Sequence, residues 1–183
     1  PGCYITQLQQ MAEDEGQGTD FQFIGSGISG NKVYDLYLRL EDDVLSRSPG
    51  VVFIYVGIND IWHKKGGTGT DLDKYQQFYR AIIEKLKKRD IRVVVCTPSV
   101  IGEKKEGGNE QDSDLDEYSQ AIRNIATELS LPVVDLRKAF MEYYDVNNPQ
   151  NAEAGILTTD RVHLNDKGNK LVATEMWKLI KTF

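Results

Sequence analysis

The run Val51-Val52-Phe53-Ile54-Tyr55-Val56-Gly57-Ile58-Asn59-Asp60 carries the clearest structural signal in this chain. Its first part is apolar without interruption, which is typical of a parallel strand that is covered on both faces. A glycine and polar residues follow at once, as expected where a strand ends in a turn. Further apolar runs at residues 91–96 and 132–135 repeat the pattern after stretches of helical periodicity. Strands that alternate with amphipathic helices predict an α/β fold with a parallel sheet.

Apolar periodicity and Gly or Pro punctuation divide the rest of the chain into a single series of elements. The predicted strands cover residues 21–24, 51–56, 91–96 and 132–135, and the predicted helices cover residues 4–15, 32–46, 72–88, 114–129, 136–145 and 166–182. The polar segment 102–114 is predicted to be an exposed loop, with Ser113 or Asp114 capping the helix that follows. The sequence shows no repeats or linkers, and residues 1–183 are therefore predicted to form a single domain.

The composition excludes some classes of partner. The chain has 183 residues, a formal net charge of −6 and a pI near 5.0. Nucleic acids and anionic membranes select clustered Lys and Arg, so neither is expected as the main partner. No apolar run is long enough to predict a membrane-spanning helix.

Polar residues with catalytic potential are predicted at one rim of the sheet. Gly30 and Asn59 each follow a predicted strand, and Asp160 and His163 precede the last helix. In open α/β sheets, active groups collect beyond the carboxyl ends of the strands. Acyl transfer needs a base such as His and an Asp that orients its imidazole. It also needs fixed donors for the oxyanion, which the Gly30 backbone N–H and the Asn59 side-chain amide could supply.

Each of these motifs also has a simpler interpretation. Asp160 could merely cap a turn, and the Gly-Ile-Asn-Asp segment could be no more than a turn. The Gly27–Gly30 pattern resembles a phosphate loop only weakly, because no Lys-Ser/Thr pair follows it. His63, the other histidine, lies in a Lys-rich loop and is read as a solvated side chain. The sequence has no Cys/His cluster, and no metal site is predicted.

The order of the motifs resembles a known family. Along the chain come Gly-Ile-Ser-Gly-Asn at 27–31, Gly-Ile-Asn-Asp-Ile-Trp at 57–62, Thr-Pro-Ser-Val-Ile-Gly-Glu at 97–103 and Asp-Arg-Val-His-Leu-Asn at 160–165. In this order the chain resembles the SGNH (GDSL) hydrolases, particularly lysophospholipase-L1-like and carbohydrate-acetylesterase-like members. The resemblance extends from Gln7 to Met176. It implies a three-layer α/β/α flavodoxin-like parallel sheet and a serine esterase that needs no metal or organic cofactor.

The resemblance also implies roles for particular residues. Gly30 and Asn59 match the family's oxyanion donors, and Asp160 and His163 match its catalytic acid–base pair. Trp62 and Ile101 would then lie near the acyl pocket.

The chain departs from the family pattern in its first block. The family carries Gly-Asp-Ser after its first strand, with the serine as nucleophile, and no Gly-Asp-Ser occurs in residues 1–183. The nucleophile and the first strand are therefore expected upstream of Pro1. The sequence would then be truncated at its N-terminus, or the strand would come from a cleaved segment or from another chain. Ser26 and Ser29 are set aside as nucleophiles, because neither matches the position of the family's serine.

The expected function is hydrolysis of carboxylic esters, with short acyl groups such as acetyl on carbohydrates as the expected substrates. The expected partner is therefore a small-molecule or glycan ester. Two alternatives stay open. The chain could be a noncatalytic α/β module that binds acylated glycans or a partner chain. It could also be a flavodoxin-like binder of nucleotides or phosphate, although an Asp, His and Asn rim has no obvious use there.

Overall fold

A computed structural model of the chain describes residues 2–105 and 107–183. Pro1 and Glu106, the latter within the predicted loop 102–114, lie outside the described residues. The elements in chain order are α1 (Tyr4–Asp14), α2 (Val33–Leu38), α3 (Leu40–Asp43), β1 (Val51–Tyr55), α4 (Ile58–Trp62), α5 (Leu72–Lys87), β2 (Arg92–Cys96), α6 (Asp112–Leu129), β3 (Val133–Val134), α7 (Leu136–Asn147) and α8 (Asp166–Ile180). Short 3₁₀ turns occupy Leu45–Arg47 and His63–Gly66.

The chain forms two compact units. The first unit comprises Pro1–Gly25, Val100–Asn109 and Lys138–Phe183. The second unit comprises Ser26–Ser99 and Glu110–Arg137. The single domain expected from the sequence stays a prediction, and each unit is described by itself.

The second unit contains the predicted parallel sheet. The strand order is β1-β2-β3, with Val51 opposite Arg92 and Tyr55 opposite Cys96, and β2 pairs with β3 through Val95 and Val133. From Val93 to Cys96 the side chains of β2 are almost entirely buried, which explains why this strand is apolar without alternation. The strand–helix alternation read from the sequence is therefore confirmed in this unit.

Helix α5 buries its apolar face through residues at helical spacing, including Tyr75, Tyr79 and Ile82. The hydroxyls of Tyr75 and Tyr79 donate to the carbonyls of Val56 and Ile54, each at 2.9 Å. Burial raises the pKa of both hydroxyls well above the ordinary value for tyrosine, so both stay protonated donors. The two tyrosines thus satisfy backbone carbonyls at the end of β1 that a purely apolar helix would leave without donors.

In the first unit, the ends of α1 and α8 are joined by specific contacts. The backbone N–H of Tyr4 donates to Asn169 Oδ1 at 3.0 Å, and the indole N–H of Trp177 donates to Glu15 Oε1 at 2.8 Å. The Phe21 ring packs edge-on against the Trp177 ring, with centroids 5.7 Å apart. The prediction of a strand at residues 21–24 is wrong. Among the described residues, this segment pairs with no strand and packs through its aromatic rings instead.

The prediction of one continuous helix over residues 32–46 is also wrong. It is divided into α2, α3 and a 3₁₀ turn, and the first break falls at Arg39. The guanidinium of Arg39 donates to the Ser26 carbonyl at 2.5 Å and to the Asp43 carboxylate at 2.5 Å, which ties the break to the preceding loop. Each piece keeps an apolar residue buried, so periodicity alone could not reveal the division.

The segment 102–114, predicted to be an exposed loop, is buried at several polar residues. In the first unit Glu103 and Asn109 are buried, and in the second unit Gln111 and Asp112 are buried. The Gln111 side chain donates to the Ile61 carbonyl at 2.7 Å, so its polar group is satisfied without water. The helix begins at Asp112 after Gln111, and neither Ser113 nor Asp114 caps it as predicted.

Candidate active site

In the first unit, Asp160 and His163 meet directly. Asp160 Oδ2 lies 2.7 Å from His163 Nδ1, while Asp160 Oδ1 accepts the backbone N–H of His163 at 2.8 Å and that of Val162 at 3.2 Å. One carboxylate therefore both closes the turn and contacts the imidazole, so the turn-cap and catalytic interpretations of Asp160 are compatible. Residues 160–163 are called the Asp–His turn below.

The backbone around the Asp–His turn fixes its direction. Arg161 has a φ of +84°, a left-handed conformation that is rare for a bulky residue and occurs here inside a tight turn. Thr158 and Leu164 form an antiparallel bridge that closes the base of the turn. Asn165 then caps α8 by accepting the N–H groups of Lys167 and Gly168, each at 3.0 Å. The turn is thus held between a bridge and a capped helix.

The hydrogen bonds around Asp160 define its ionisation and the tautomer of His163. The backbone N–H of His163, followed by its imidazole, lowers the pKa of Asp160 to about 2. An ionised carboxylate only accepts hydrogen bonds, so His163 Nδ1 carries the proton and Nε2 is the ring nitrogen that can take up another. The side chains are 54% and 62% exposed for Asp160 and His163, so solvent can reach the pair.

We expect Asp160 to titrate near pH 2 rather than at its ordinary value of 3.8. A lowered pKa in the folded state means that its contribution to folding is complete above pH 3.8 and is lost as the pH falls from 3.8 towards 2. The carboxyl carbon shift of Asp160, followed by NMR against pH, measures the midpoint. The backbone N–H of residue 163 lowers the pKa of Asp160 more than the hydrogen bond from the imidazole does. His163→Ala removes only the imidazole, so it should raise the titration midpoint of Asp160 only part of the way to 3.8. A midpoint of 3.8 in the unmodified protein would contradict the geometry of the turn.

In the second unit, the predicted oxyanion donors lie on neighbouring segments, Gly30 in the turn before α2 and Asn59 in α4. Gly30 is exposed with a φ of +80°, and the Asn59 amide donates to the carbonyl of the adjacent Asn31 at 3.0 Å. Gly57 lies directly before α4, the short helix that carries Asn59. Its φ of +137° would strain any residue with a side chain, and a Cβ there would lie 3.0 Å from the Tyr75 hydroxyl. Gly30 and Asn59 are therefore brought together in their own unit, and their convergence with the Asp–His turn stays a prediction.

Asp60 supports this arrangement, and the sequence reasoning did not assign it a role. Its side chain is fully buried and accepts the N–H of Val33 through both oxygens, at 3.2 and 3.3 Å. Desolvation raises the pKa of Asp60, as burial does for a carboxyl group. Asp60, in α4, thereby holds the start of α2 in place, and Gly30 lies on the segment directly before α2. An acid directly after Asn59 is the available signal, but nothing in the sequence shows that it is buried.

The remaining predicted site residues differ in exposure. Trp62 is 37% exposed at the end of α4, and its ring lies 5.6 Å from the ring of His63. Ile101 is only 3% exposed and lies in the core of the first unit. Their place in an acyl pocket stays a prediction. Within residues 2–105 and 107–183, no group of three or more His, Cys, Asp or Glu side chains is arranged to hold a metal ion.

The structure thus has a parallel sheet with flanking helices and a turn in which an aspartate contacts a histidine, and comparison with known proteins defines the family. The model of the GDSL-like Lipase/Acylhydrolase family matches residues 2–171. The chain belongs to this family, and it is an ester hydrolase of the SGNH type with the three-layer α/β/α fold predicted from its sequence.

Similar proteins include esterases from different organisms. An acetylxylan esterase of Geobacillus stearothermophilus is 32% identical over 93% of this chain and 76% of its own length. The isoamyl acetate-hydrolyzing esterase of Saccharomyces cerevisiae is 26% identical over 80% of this chain and 63% of its own length. The crystal structure of the acetyl xylan esterase AlAXEase has a TM-score of 0.95 and 52% identity, and the match covers 97% of this chain and 90% of that one.

The solved relatives also include variants that bear on the chemistry. Catalytic mutants of the Geobacillus stearothermophilus acetylxylan esterase Axe2 replace an aspartate, a serine and a histidine, and the aspartate and histidine are three positions apart. These structures have TM-scores of 0.84 to 0.85 against this chain and are 26% identical to it. Among the residues that the structure describes here, no helix has the length and apolar character needed to cross a membrane.

Proposed function

We propose that this protein removes acetyl groups from carbohydrate esters through a serine acyl-enzyme, without a metal or organic cofactor. The observation that carries the proposal is the 2.7 Å contact between Asp160 Oδ2 and His163 Nδ1. It is the arrangement in which an acid orients a histidine base and stabilises the imidazolium that forms during acyl transfer.

Each candidate residue has one role in the proposed reaction. His163 Nε2 takes the proton of the serine hydroxyl as the serine oxygen attacks the acetyl carbon. The Gly30 N–H and an amide hydrogen of Asn59 donate to the oxyanion that develops on the carbonyl oxygen. His163 then returns the proton to the departing sugar oxygen. A water molecule, activated by the same base, releases acetate from the acyl-enzyme.

The relatives support both the substrate class and the pair. The two curated esterases cited above are named for acetyl esters, one of xylan and one of a small alcohol. Asp160 and His163 have the same spacing as the catalytic aspartate and histidine of Axe2. Since residues 1–183 contain no Gly-Asp-Ser, the proposed serine lies outside them, on the same chain or on a segment that another chain donates.

A fluorophosphonate probe tests the nucleophile, because it reacts covalently with an activated serine. We expect the full-length protein to be labelled on one serine outside residues 1–183, and to release acetate from acetylated xylo-oligosaccharides. Peptide mass spectrometry locates the label and shows whether it lies on the same polypeptide. As a control for acyl length, p-nitrophenyl acetate should be hydrolysed with a higher kcat/KM than p-nitrophenyl octanoate.

Other results of this experiment would contradict the proposal. Label on Ser26 or Ser29 would move the nucleophile into the second unit and overturn the assigned serine. Folded protein that binds acetylated oligosaccharides without label or turnover would instead establish the noncatalytic binding module.

A further inference from the structure

A carboxylate that lies outside the predicted site is buried beneath the Asp–His turn. Glu103 is fully buried in the first unit and accepts five hydrogen bonds. Its Oε2 accepts the backbone N–H of Ile156 at 2.7 Å. Its Oε1 accepts the N–H groups of Leu157 and Thr158 at 2.7 and 2.6 Å, the Thr158 hydroxyl at 2.9 Å, and the Tyr144 hydroxyl at 3.3 Å. Three consecutive backbone N–H groups thus converge on one side chain.

Hydrogen bonds connect this carboxylate to the Asp–His turn. The Thr158 hydroxyl, which donates to Glu103, also accepts the backbone N–H of Arg161 at 3.1 Å. The carbonyl of Arg161 accepts the N–H of Gly102, the neighbour of Glu103, at 2.7 Å. The Arg161 carbonyl is therefore fixed by the neighbour of Glu103, and the Arg161 N–H by the threonine hydroxyl that donates to Glu103. Arg161 is the residue with the left-handed backbone between the acid and the base, so its fixation sets the conformation of the turn.

The Glu103 segment is itself held in place. The Asn148 side chain donates to the Glu103 carbonyl at 2.8 Å, and its Oδ1 accepts the N–H of Ala152 at 2.8 Å. The N–H of Glu103 donates to the Glu153 carbonyl at 3.1 Å. Glu103 is thus anchored through its backbone and its side chain, which suits a group that positions another part of the chain.

We propose that Glu103 is a positioning residue for the active site: its buried carboxylate orders residues 156–158 and, through the Thr158 hydroxyl, fixes Arg161 so that the Asp160 carboxylate meets the His163 imidazole. The inference rests on the proposed function for its effect on catalysis, and Glu103 itself contacts no reacting atom. A buried carboxylate is costly unless its hydrogen bonds are complete. A structural filler at this place would be better apolar, whereas a carboxylate is the side chain that can accept three adjacent N–H groups and a hydroxyl together.

Glu103→Gln tests this inference, because it keeps the shape of the side chain but replaces one acceptor oxygen with an NH₂ donor. We expect kcat for acetyl esters to fall by on the order of 10²-fold with little change in KM, as a misplaced base costs turnover rather than binding. Hydrogen exchange of the Arg161, Val162 and His163 amides should accelerate. The titration midpoint of Asp160, measured from its carboxyl carbon shift, should rise from about 2 towards 3.8.

Asp112→Asn is the matched control, since it also converts a buried, hydrogen-bonded carboxylate to an amide, but in the second unit. It should lower stability and leave both the exchange of the turn amides and the Asp160 midpoint unchanged. If Glu103→Gln does not fold, Thr158→Val removes only the connecting hydroxyl, and it should give the same faster exchange of the Arg161 amide and a reduced kcat.

The outcomes separate this inference from the proposed function. The positioning role would be overturned if folded variants of Glu103 and Thr158 kept the kcat, the amide exchange rates of the turn and the Asp160 titration midpoint of the original protein. The proposed function would then still stand. Conversely, if esterase activity survived His163→Ala, the proposed function would fail, yet altered exchange and midpoint in Glu103→Gln would still establish that Glu103 orders the turn.

Discussion

Replacing His163 with alanine is expected to lower kcat for p-nitrophenyl acetate by about 10²–10⁴-fold, the usual contribution of a general base. KM should change little, because the imidazole acts on the transferred proton and not on the bound ester. His163 is the base that Asp160 orients at 2.7 Å, so Asp160→Asn should lower kcat as well, through loss of the tautomer and of charge stabilisation. Initial rates of the full-length protein at several substrate concentrations measure both parameters.

The chain offers its own control in the second histidine. His63 lies in a 3₁₀ turn of the second unit, with its ring beside Trp62, and it has no part in the proposed proton transfer. His63→Ala should retain kcat within about a factor of two of the unmodified protein, well below a general-base effect. Equal losses for the two histidine variants would reject the assignment of the base, and so would unmodified activity in His163→Ala.

Much of the fold could be predicted from the sequence, because the central strand β2 is buried on both faces and β1, although only partly buried, is apolar throughout. The β1 and β2 runs contain no alternation, and long amphipathic helices such as α5 repeat their apolar residues at helical spacing. These patterns are local, and local patterns can be recognised in a sequence. The contact between Asp160 and His163 could be predicted for the same reason, because a separation of three residues in a turn brings the two side chains together.

The errors arise where a distant partner determines the structure. The extended segment 21–24 has aromatic residues suited to a strand, but in the described chain its rings pack on Trp177 instead of pairing with a strand. Arg39 interrupts a helical pattern through bonds to Ser26 and Asp43 that periodicity does not register. In the first case the partner ring lies far along the chain, and in the second a backbone carbonyl of the preceding loop takes part.

Glu103 and Asp60 show why part of the site could not be predicted. Each is an acidic residue in a polar or turn-like stretch, which normally indicates exposure. Each is nevertheless buried, with hydrogen bonds from elsewhere in its unit: one backbone N–H donates to the Asp60 carboxylate and three donate to that of Glu103. The donors lie 27 residues from Asp60 and 53 to 55 residues from Glu103, so no local pattern marks them.

The second unit contains another buried charge with a large expected effect on stability. The side chain of Arg137 is 5% exposed and donates through Nη2 to Asp112 at 2.9 Å and through Nε to Asp116 at 2.8 Å. Its backbone N–H donates to the Thr97 hydroxyl at 2.9 Å. Asp112 is 4% exposed, so its charge depends on Arg137 far more than the charge of Asp116, which is 65% exposed. Removal of the guanidinium would leave Asp112 as a buried carboxylate without its cation.

Arg137→Ala is therefore expected to lower the free energy of unfolding by about 3–5 kcal/mol, the cost of breaking a buried ion pair by deleting one partner. Urea denaturation monitored by circular dichroism measures the change. The matched control is Arg80→Ala, because Arg80 also forms a two-bond pair with a carboxylate, that of Glu128, at 2.9 and 2.6 Å, but the pair is exposed. Solvent already screens these charges, so its loss should cost only about 0.2–1 kcal/mol. Equal destabilisation by the two substitutions would mean that burial of Asp112 does not determine the energetic weight of the Arg137 contact.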